Sequence, residues 1–147
     1  MPNWCFNGLR VSGPAEDLAK FKNQAVGHNP WGKIPADEKP SVLNFHSLLP
    51  IPDLVLKAGY ADAGFDWERK QWGCRWGACN AELIDESEDH LQYQFDTAWN
   101  PSVEFVCNVR HQWPTLTFLL DYDEPGMRFK GICKALGEHF ENHCIEY

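Results

Sequence analysis

Asn3-Trp4-Cys5-Phe6-Asn7-Gly8-Leu9-Arg10-Val11-Ser12-Gly13-Pro14 carries two alternating sets of side chains. Cys5, Asn7, Leu9 and Val11 fall on one face and Trp4, Phe6, Gly8 and Arg10 on the other, the period of a strand whose two sides meet different surroundings. Gly13-Pro14 stops that strand and opens a helix, since Pro at the first helical position gives up an N–H that would have no intrahelical partner. Glu16 and Asp17 suit the first turn, where the helix dipole favours negative charge. Leu18, Phe21, Ala25 and Val26 complete the apolar stripe of an amphipathic helix ending near Gly27. Strand then helix on one covered face is the first half of a split βαβ unit.

Further along, His28 to Pro40 is rich in Pro, Gly and charge and reads as a loop. Val42 to Leu49 reads as a second strand, halted by Pro50 and Pro52. A short helix is expected around Leu54 to Ala58, followed by the segment Trp72-Gly73-Cys74-Arg75-Trp76-Gly77. Leu91, Tyr93, Phe95, Thr97 and Trp99 alternate with Gln92, Gln94, Asp96 and Ala98, a half-buried strand. Asn100-Pro101 signals a helix start, with Asn as cap and Pro at the first turn. That helix is expected to carry Val103, Val106, Val109 and Trp113 on one stripe and to stop at Pro114. Leu116, Phe118, Leu120 and Tyr122 mark another strand, closed by the turn sequence Asp123-Glu124-Pro125-Gly126. Phe129, Ile132, Leu136 and Phe140 could line a helix, but Gly131 and Gly137 suit a hairpin better. The order predicts an α+β fold: a ferredoxin-like split βαβ sandwich, an antiparallel sheet with two helices on one face, an inserted Trp-rich segment and a C-terminal β-hairpin. Residues 1–147 read as a single domain with an insertion at about 50–90.

The totals bound the function. A chain of 147 residues that is 44% hydrophobic and 14% aromatic, with seven Trp, can bury a core without staples. No secretory signal is visible at Met1-Pro2-Asn3-Trp4-Cys5, and no apolar run nears the roughly 20 residues needed to cross a bilayer. A cytoplasmic setting is therefore expected, with no membrane partner and with the six cysteines as thiols. Thirteen Lys and Arg are scattered against 21 acids, a formal charge of −8. Direct nucleic-acid binding is disfavoured, because phosphate backbones attract clustered cations. An acidic protein can instead dock on a basic, nucleic-acid-binding protein surface.

Several blocks taken together resemble a known family. Met1-Pro2-Asn3-Trp4-Cys5 with Asn7, Leu9, Val11 and Gly13 is the first, and Trp72-Gly73 with Trp76-Gly77 the second. Thr97-Ala98-Trp99-Asn100-Pro101 is the third, and Tyr122-Asp123-Glu124-Pro125-Gly126 with Gly131 the fourth. In this order they resemble the YubB ferredoxin-like family, a domain of unknown function carried by bacteriophages and conjugative plasmids. The second block reads Trp-Gly-Cys-Arg-Trp in place of Trp-Gly-Thr-Lys-Trp, and Asn100-Pro101-Ser102 replaces a more Pro-rich version. The resemblance implies the fold and a mobile element inside a bacterial host cell; it brings no catalytic residues. By extension it implies a host-directed role, such as inhibition of an antiviral defence system in the manner of an anti-CRISPR protein.

No strained nucleophile turn, Gly-rich phosphate loop or paired-carboxylate motif can be read, so catalytic residues are expected to be none and no enzyme is expected. The expected activity is binding of a host protein or protein complex. The acids Asp85, Glu86, Glu88 and Asp89, the acids Asp121, Asp123 and Glu124, and an exposed Trp31 form the expected partner surface. The alternative is a small-molecule or nucleotide-binding domain in which Trp72, Arg75 and Trp76 act as a stacking platform, against a simpler reading in which both indoles cover one end of the sheet. Cys74 and Cys79 with His139, His143 and Cys144 could make a zinc site only if the tail were helical, so neither a metal nor another cofactor is expected. The oligomeric state is left open by the sequence.

Overall fold

The computed structural model describes residues 2–32 and 34–147. Six strands, β1 (Trp4–Ser12), β2 (Arg75–Glu86), β3 (His90–Ala98), β4 (Thr117–Glu124), β5 (Phe129–Leu136) and β6 (His139–Glu146), form one antiparallel sheet in the order β2-β3-β1-β4-β5-β6. The first four strands have the split βαβ arrangement. Helix α1 (Ala15–Gln24) follows β1, and helix α5 (Val103–Val109) joins β3 to β4. The expected ferredoxin-like α+β fold and the C-terminal hairpin are both present.

The alternation of β1 decides which side is covered. Cys5, Asn7, Leu9 and Val11 are all buried, while Phe6 and Arg10 are exposed. Leu9 lies opposite Tyr93 and Leu120, and Val11 opposite Leu91 and Phe118, so three strands present one apolar surface. Leu18 and Phe21 of α1 and Phe105, Val106 and Val109 of α5 bury against it. Phe21 meets Phe118 edge-on at 5.7 Å and Tyr93 at 6.4 Å, a geometry aromatic quadrupoles favour. Among the described residues, only strand residues line the trough on the opposite face of the sheet.

The second strand is not where the sequence suggested. Residues 42–49 were read as a strand, but Phe45–Leu48 form a short helix, α2, because Asn44 caps it by accepting the Ser47 N–H at 2.9 Å. Its Phe45 stacks on Phe105 at 3.7 Å. Helix α3 (Asp53–Ala58), a π-turn (Tyr60–Gly64) and helix α4 (Phe65–Gln71) follow. The insertion expected at about 50–90 therefore ends earlier. Residues 75–86 belong to the sheet, paired with β3 through three register shifts. The helix after Pro101 starts at Val103, with Ser102 rather than Asn100 at its cap position, and ends at Val109 ahead of a 3₁₀ turn, Arg110–Gln112.

Two buried polar groups tie these pieces together. The Asn7 amide donates to Thr97 Oγ1 (2.9 Å) and to the Cys5 carbonyl (3.1 Å), and its Oδ1 accepts from the Ser102 hydroxyl (3.3 Å). Thr97 in turn donates to the Asn100 carbonyl at 2.6 Å. One amide thus joins β1 to β3 and to the entry of α5. The second group is Glu68 of α4, which is fully buried. Its carboxylate accepts from Trp31 Nε1 (2.9 Å), the Trp76 backbone N–H (2.8 Å) and the Tyr60 hydroxyl (3.3 Å). Tyr60 accepts from Arg75 Nε at 3.1 Å. Burial pushes the Glu68 carboxyl above its ordinary value, against those donors and the Arg75 charge, which hold it down.

Two outcomes are expected from these networks. Asn7→Ala orphans the Ser102 and Thr97 groups and lowers unfolding free energy by about 2 kcal/mol in denaturant titration. A raised folded-state value means that Glu68 contributes most below its unfolded value near 4.5 and loses that contribution as pH rises through the folded value. The destabilisation caused by Glu68→Gln is therefore largest in mild acid and shrinks toward neutral pH; a cost that grows with pH contradicts this assignment.

Candidate functional site

The distinctive sequence blocks converge because of register. Trp4 and Arg75 both lie opposite Ala98, and Phe6 lies opposite Asp123, so the start of β1, the start of β2, the end of β3 and the end of β4 share one end of the sheet. Much of what the blocks do there is structural. Trp72 is buried, edge-on to Phe45 at 5.7 Å and to Trp67 at 5.5 Å, and its Nε1 donates to the Leu49 carbonyl. The platform of Trp72, Arg75 and Trp76 is thus corrected: Trp72 offers no free face. Gly73 has a φ of +80°, a left-handed backbone that favours glycine.

Arg75 and Trp76 are part of a different constellation. The Arg75 guanidinium lies 4.9 Å from the Phe65 ring centroid, 5.3 Å from Trp76, 5.6 Å from Tyr60 and 5.8 Å from Trp99. Trp76 and Trp99 approach to 5.9 Å, and each keeps more than a third of its surface in solvent. Both have left-handed backbones, φ +72° and +62°. A bulky side chain is rarely found there, at a cost on the order of 1–3 kcal/mol each. Beside them Phe65, Arg69, Arg75, Ala98, Trp99 and Asn100 line a pocket of about 340 Å³. Sequence reasoning found Arg75 and Trp76 but missed Trp99, Phe65 and Arg69, because nothing local shows that α4 packs against the end of β3.

A larger concavity is the open face itself. A trough of about 780 Å³ runs across it, with Phe6, Ile84, Ile132 and Ile145 among its walls. These four are between 46% and 60% exposed, a concentration of apolar surface that isolated exposed residues do not make. Asp121, Asp123, Lys130 and His143 supply its charge, and Gln92 and Gln94 its neutral polarity.

The residues expected to form one partner surface are separated. Asp85, Glu86, Glu88 and Asp89 sit at the turn between β2 and β3, beside the end of β1 where Ser12 pairs with His90. Asp121 and Asp123 lie on the open face opposite Gly8 and Phe6, toward the other end of β1. Several of the turn acids are already engaged. His90 is held between Asp85 (2.9 Å) and Asp89 (3.0 Å), and Lys22 pairs with Glu86 at 2.8 Å. Those hydrogen bonds raise the His90 value and lower that of Asp85, while Asp89 is lowered first by the Ser87 hydroxyl and then by His90. Glu88 is exposed without such a partner among the described residues. Glu124 is not on the surface at all: it is buried, accepting the Met127 N–H across the turn that Pro125-Gly126 makes. Trp31 is only partly exposed, since its indole is tied to Glu68 and lies edge-on to Tyr60 at 5.3 Å.

The thiols and imidazoles are likewise apart. β2 carries Cys79 at one edge of the sheet, and β6 carries His139, His143 and Cys144 at the other. His139 and His143 flank Glu141 at 3.7 and 3.8 Å. Among the described residues no group of three or more His, Cys, Asp or Glu is arranged to hold a metal. All six cysteines are free, and burial pushes the thiols of Cys5 and Cys133 up to about 12 and raises those of Cys74 and Cys79. No helix of the described residues is long and apolar enough to cross a membrane.

Comparison with known proteins agrees with this architecture. The crystal structure of protein Api92 from Yersinia pseudotuberculosis is similar with a TM-score of 0.76, over 100% of this chain and 98% of that one. At 10% identity that likeness is one of fold. No curated protein matches the sequence. A family model described as the ferredoxin-like domain in Api92-like protein matches residues 71–146, the span from the end of α4 through β6. That is just over half of the 147 residues, and the chain belongs to this family of ferredoxin-like domains.

Proposed function

We propose that this chain is a non-enzymatic binding protein that docks a bacterial protein on the open face of its sheet. The observation that carries the reading is the trough: helices cover one face, while Phe6, Ile84, Ile132 and Ile145 stand exposed on the other. Asp121 and Asp123 outnumber Lys130 among the trough's permanently charged groups, and neither makes an ion pair with Lys or Arg among the described residues. The fitting partner is a protein surface with apolar side chains flanked by Lys or Arg. The same carboxylates repel a phosphate backbone, which disfavours direct nucleic-acid binding. The buried Cys5 and Cys133 thiols, pushed up to about 12, are weak nucleophiles.

The finer setting follows from the resemblance to the YubB family: a phage- or plasmid-encoded accessory protein acting in the host cytoplasm. Six free thiols fit a reducing compartment. A basic protein that handles nucleic acid, such as a component of an antiviral defence complex, has the charge that the trough would recognise. Inhibition by stoichiometric occupancy is the corresponding mode of action.

Tagged protein incubated with host lysate is expected to retain one bacterial protein in near-equimolar amount. Ile132→Glu is expected to abolish retention while leaving the thermal unfolding midpoint within a few degrees, because Ile132 is exposed. Asp121→Lys should slow association and reduce its salt dependence. Glu88→Lys, on the separate acidic turn, should leave retention intact. Loss with Glu88→Lys but not with Ile132→Glu moves the interface to the turn, and no stoichiometric partner in any host lysate removes the reading.

A further inference from the structure

The pocket beside the aromatic cluster has a chemistry that the trough does not share. In a protein of net charge −8, Arg69 and Arg75 both lie over the single ring of Phe65, at 5.9 and 4.9 Å from its centroid. Neither forms a salt bridge among the described residues, whose ion pairs all use Lys or His. Arg75 commits only its Nε, to the Tyr60 hydroxyl, and its two terminal nitrogens make no hydrogen bond there. Arg75 also serves as a counter-charge to the buried Glu68, to which Tyr60 links it, but the residues that line the cavity include two guanidinium groups and no carboxylate, a wall that suits an anion. The wall beside them is the partly exposed Trp99 indole, with Asn100 at its margin.

Trp99 supplies a second, independent observation. Its φ of +62° would suit Gly or Asn, and a large aromatic there is strained. Trp76, with φ +72°, is strained in the same way and lies against it. A chain that needed only a turn at the end of β3 has cheaper residues for it. The Trp76 backbone answers to its hydrogen bond with Glu68, so it is the Trp99 indole, at the pocket wall, whose retention points to use of the ring.

We infer that the pocket formed by Phe65, Arg69, Arg75, Trp99 and Asn100 binds a mononucleotide-sized aromatic phosphate, its flat ring on Trp99 and its phosphate between Arg69 and Arg75. The cavity of about 340 Å³ lies in the size range of small-ligand sites. A dianionic phosphate matches two guanidinium groups, each able to offer paired N–H donors. Stacking on an indole is tolerant of base identity, so the site selects ring plus phosphate over any one base. The pocket is formed by the end of β3, the start of β2 and α4 and shares no lining residue with the Ile132 trough, so occupancy of one does not require the other.

Adenosine monophosphate, adenosine and inorganic phosphate titrated into the full-length protein test the assignment through tryptophan fluorescence and calorimetry. Adenosine monophosphate is expected to bind with a dissociation constant at or below about 1 mM, and the two fragments at least tenfold more weakly. Arg69→Gln, a change at an exposed side chain, should weaken that binding about tenfold without moving the unfolding midpoint. Trp99→Gly relieves the left-handed strain and should abolish the fluorescence response; if it fails to fold, the Arg69→Gln result decides alone. Absence of binding by the wild type, equal binding of adenosine, or undiminished binding by Arg69→Gln overturns the proposal. Loss of partner capture by Ile132→Glu with intact nucleotide binding, or the converse, distinguishes failure of this site from failure of the protein-docking reading.

Discussion

A fully buried carboxylate holds the helical insertion to the sheet. Glu68 gathers Trp31 from the loop after α1, Tyr60 from the π-turn and the Trp76 amide from the first residues of β2. A buried charge is costly unless its lone pairs are filled and a counter-charge is near, and here three donors and Arg75 provide that. The cost makes the arrangement specific. Any shift of α4 or β2 would leave the carboxylate short of donors, so the aromatic rings around Arg75 are set by the same constraint that fixes the insertion. The strained Trp76 backbone is part of this, because its N–H must point at Glu68 while its ring reaches Arg75.

The sheet has its own fixed point in Asn7. An amide between β1, β3 and the α5 entry accounts for the Thr97-to-Ser102 block without any appeal to catalysis. The Glu124 turn behaves similarly, since a side chain that looked like part of an acidic surface is a buried acceptor for the Met127 amide. Sequence blocks that carry a family resemblance are in this protein largely the polar joints of the fold. What is free to act lies between them: the trough and the Arg69–Arg75 pocket.

This division explains what could be read in advance. β1, β3 and β4 are legible because each alternates with one face covered, and the C-terminal hairpin because Gly131 and Gly137 argue against a helix. β2 is not, because Trp76, Gly77 and Asn80 adopt positive φ and three register shifts break its alternation. Its place in the sheet was therefore given to residues 42–49, whose apolar run is shared by a strand and by a short buried helix. The acids were legible as charges but not as positions. Pairing register puts the turn acids and the open-face acids toward opposite ends of β1, and no count of carboxylates contains that information. Phe65 and Arg69 are invisible for a related reason: Ala98, Trp99 and Asn100, which line the pocket with them, lie far along the chain and come beside them only when α4 docks.

The irregularity of β2 also has a consequence for association. An edge strand with unpaired amides is a template for other chains, and bulges are one of the ways proteins spoil it. β2 is spoiled by its shifts, whereas β6 pairs with β5 without any, from His139 to Glu146. The open face thus ends at one irregular border beside the strained tryptophans and one regular border lined by exposed His143 and Ile145. A partner that lies across the trough can therefore extend over β6 by adding backbone hydrogen bonds, but gains nothing comparable over β2. In the proposed docking the hairpin side is the favoured border, which would leave the β2 end, with its two guanidinium groups and its indoles, open to a small ligand while the trough is occupied.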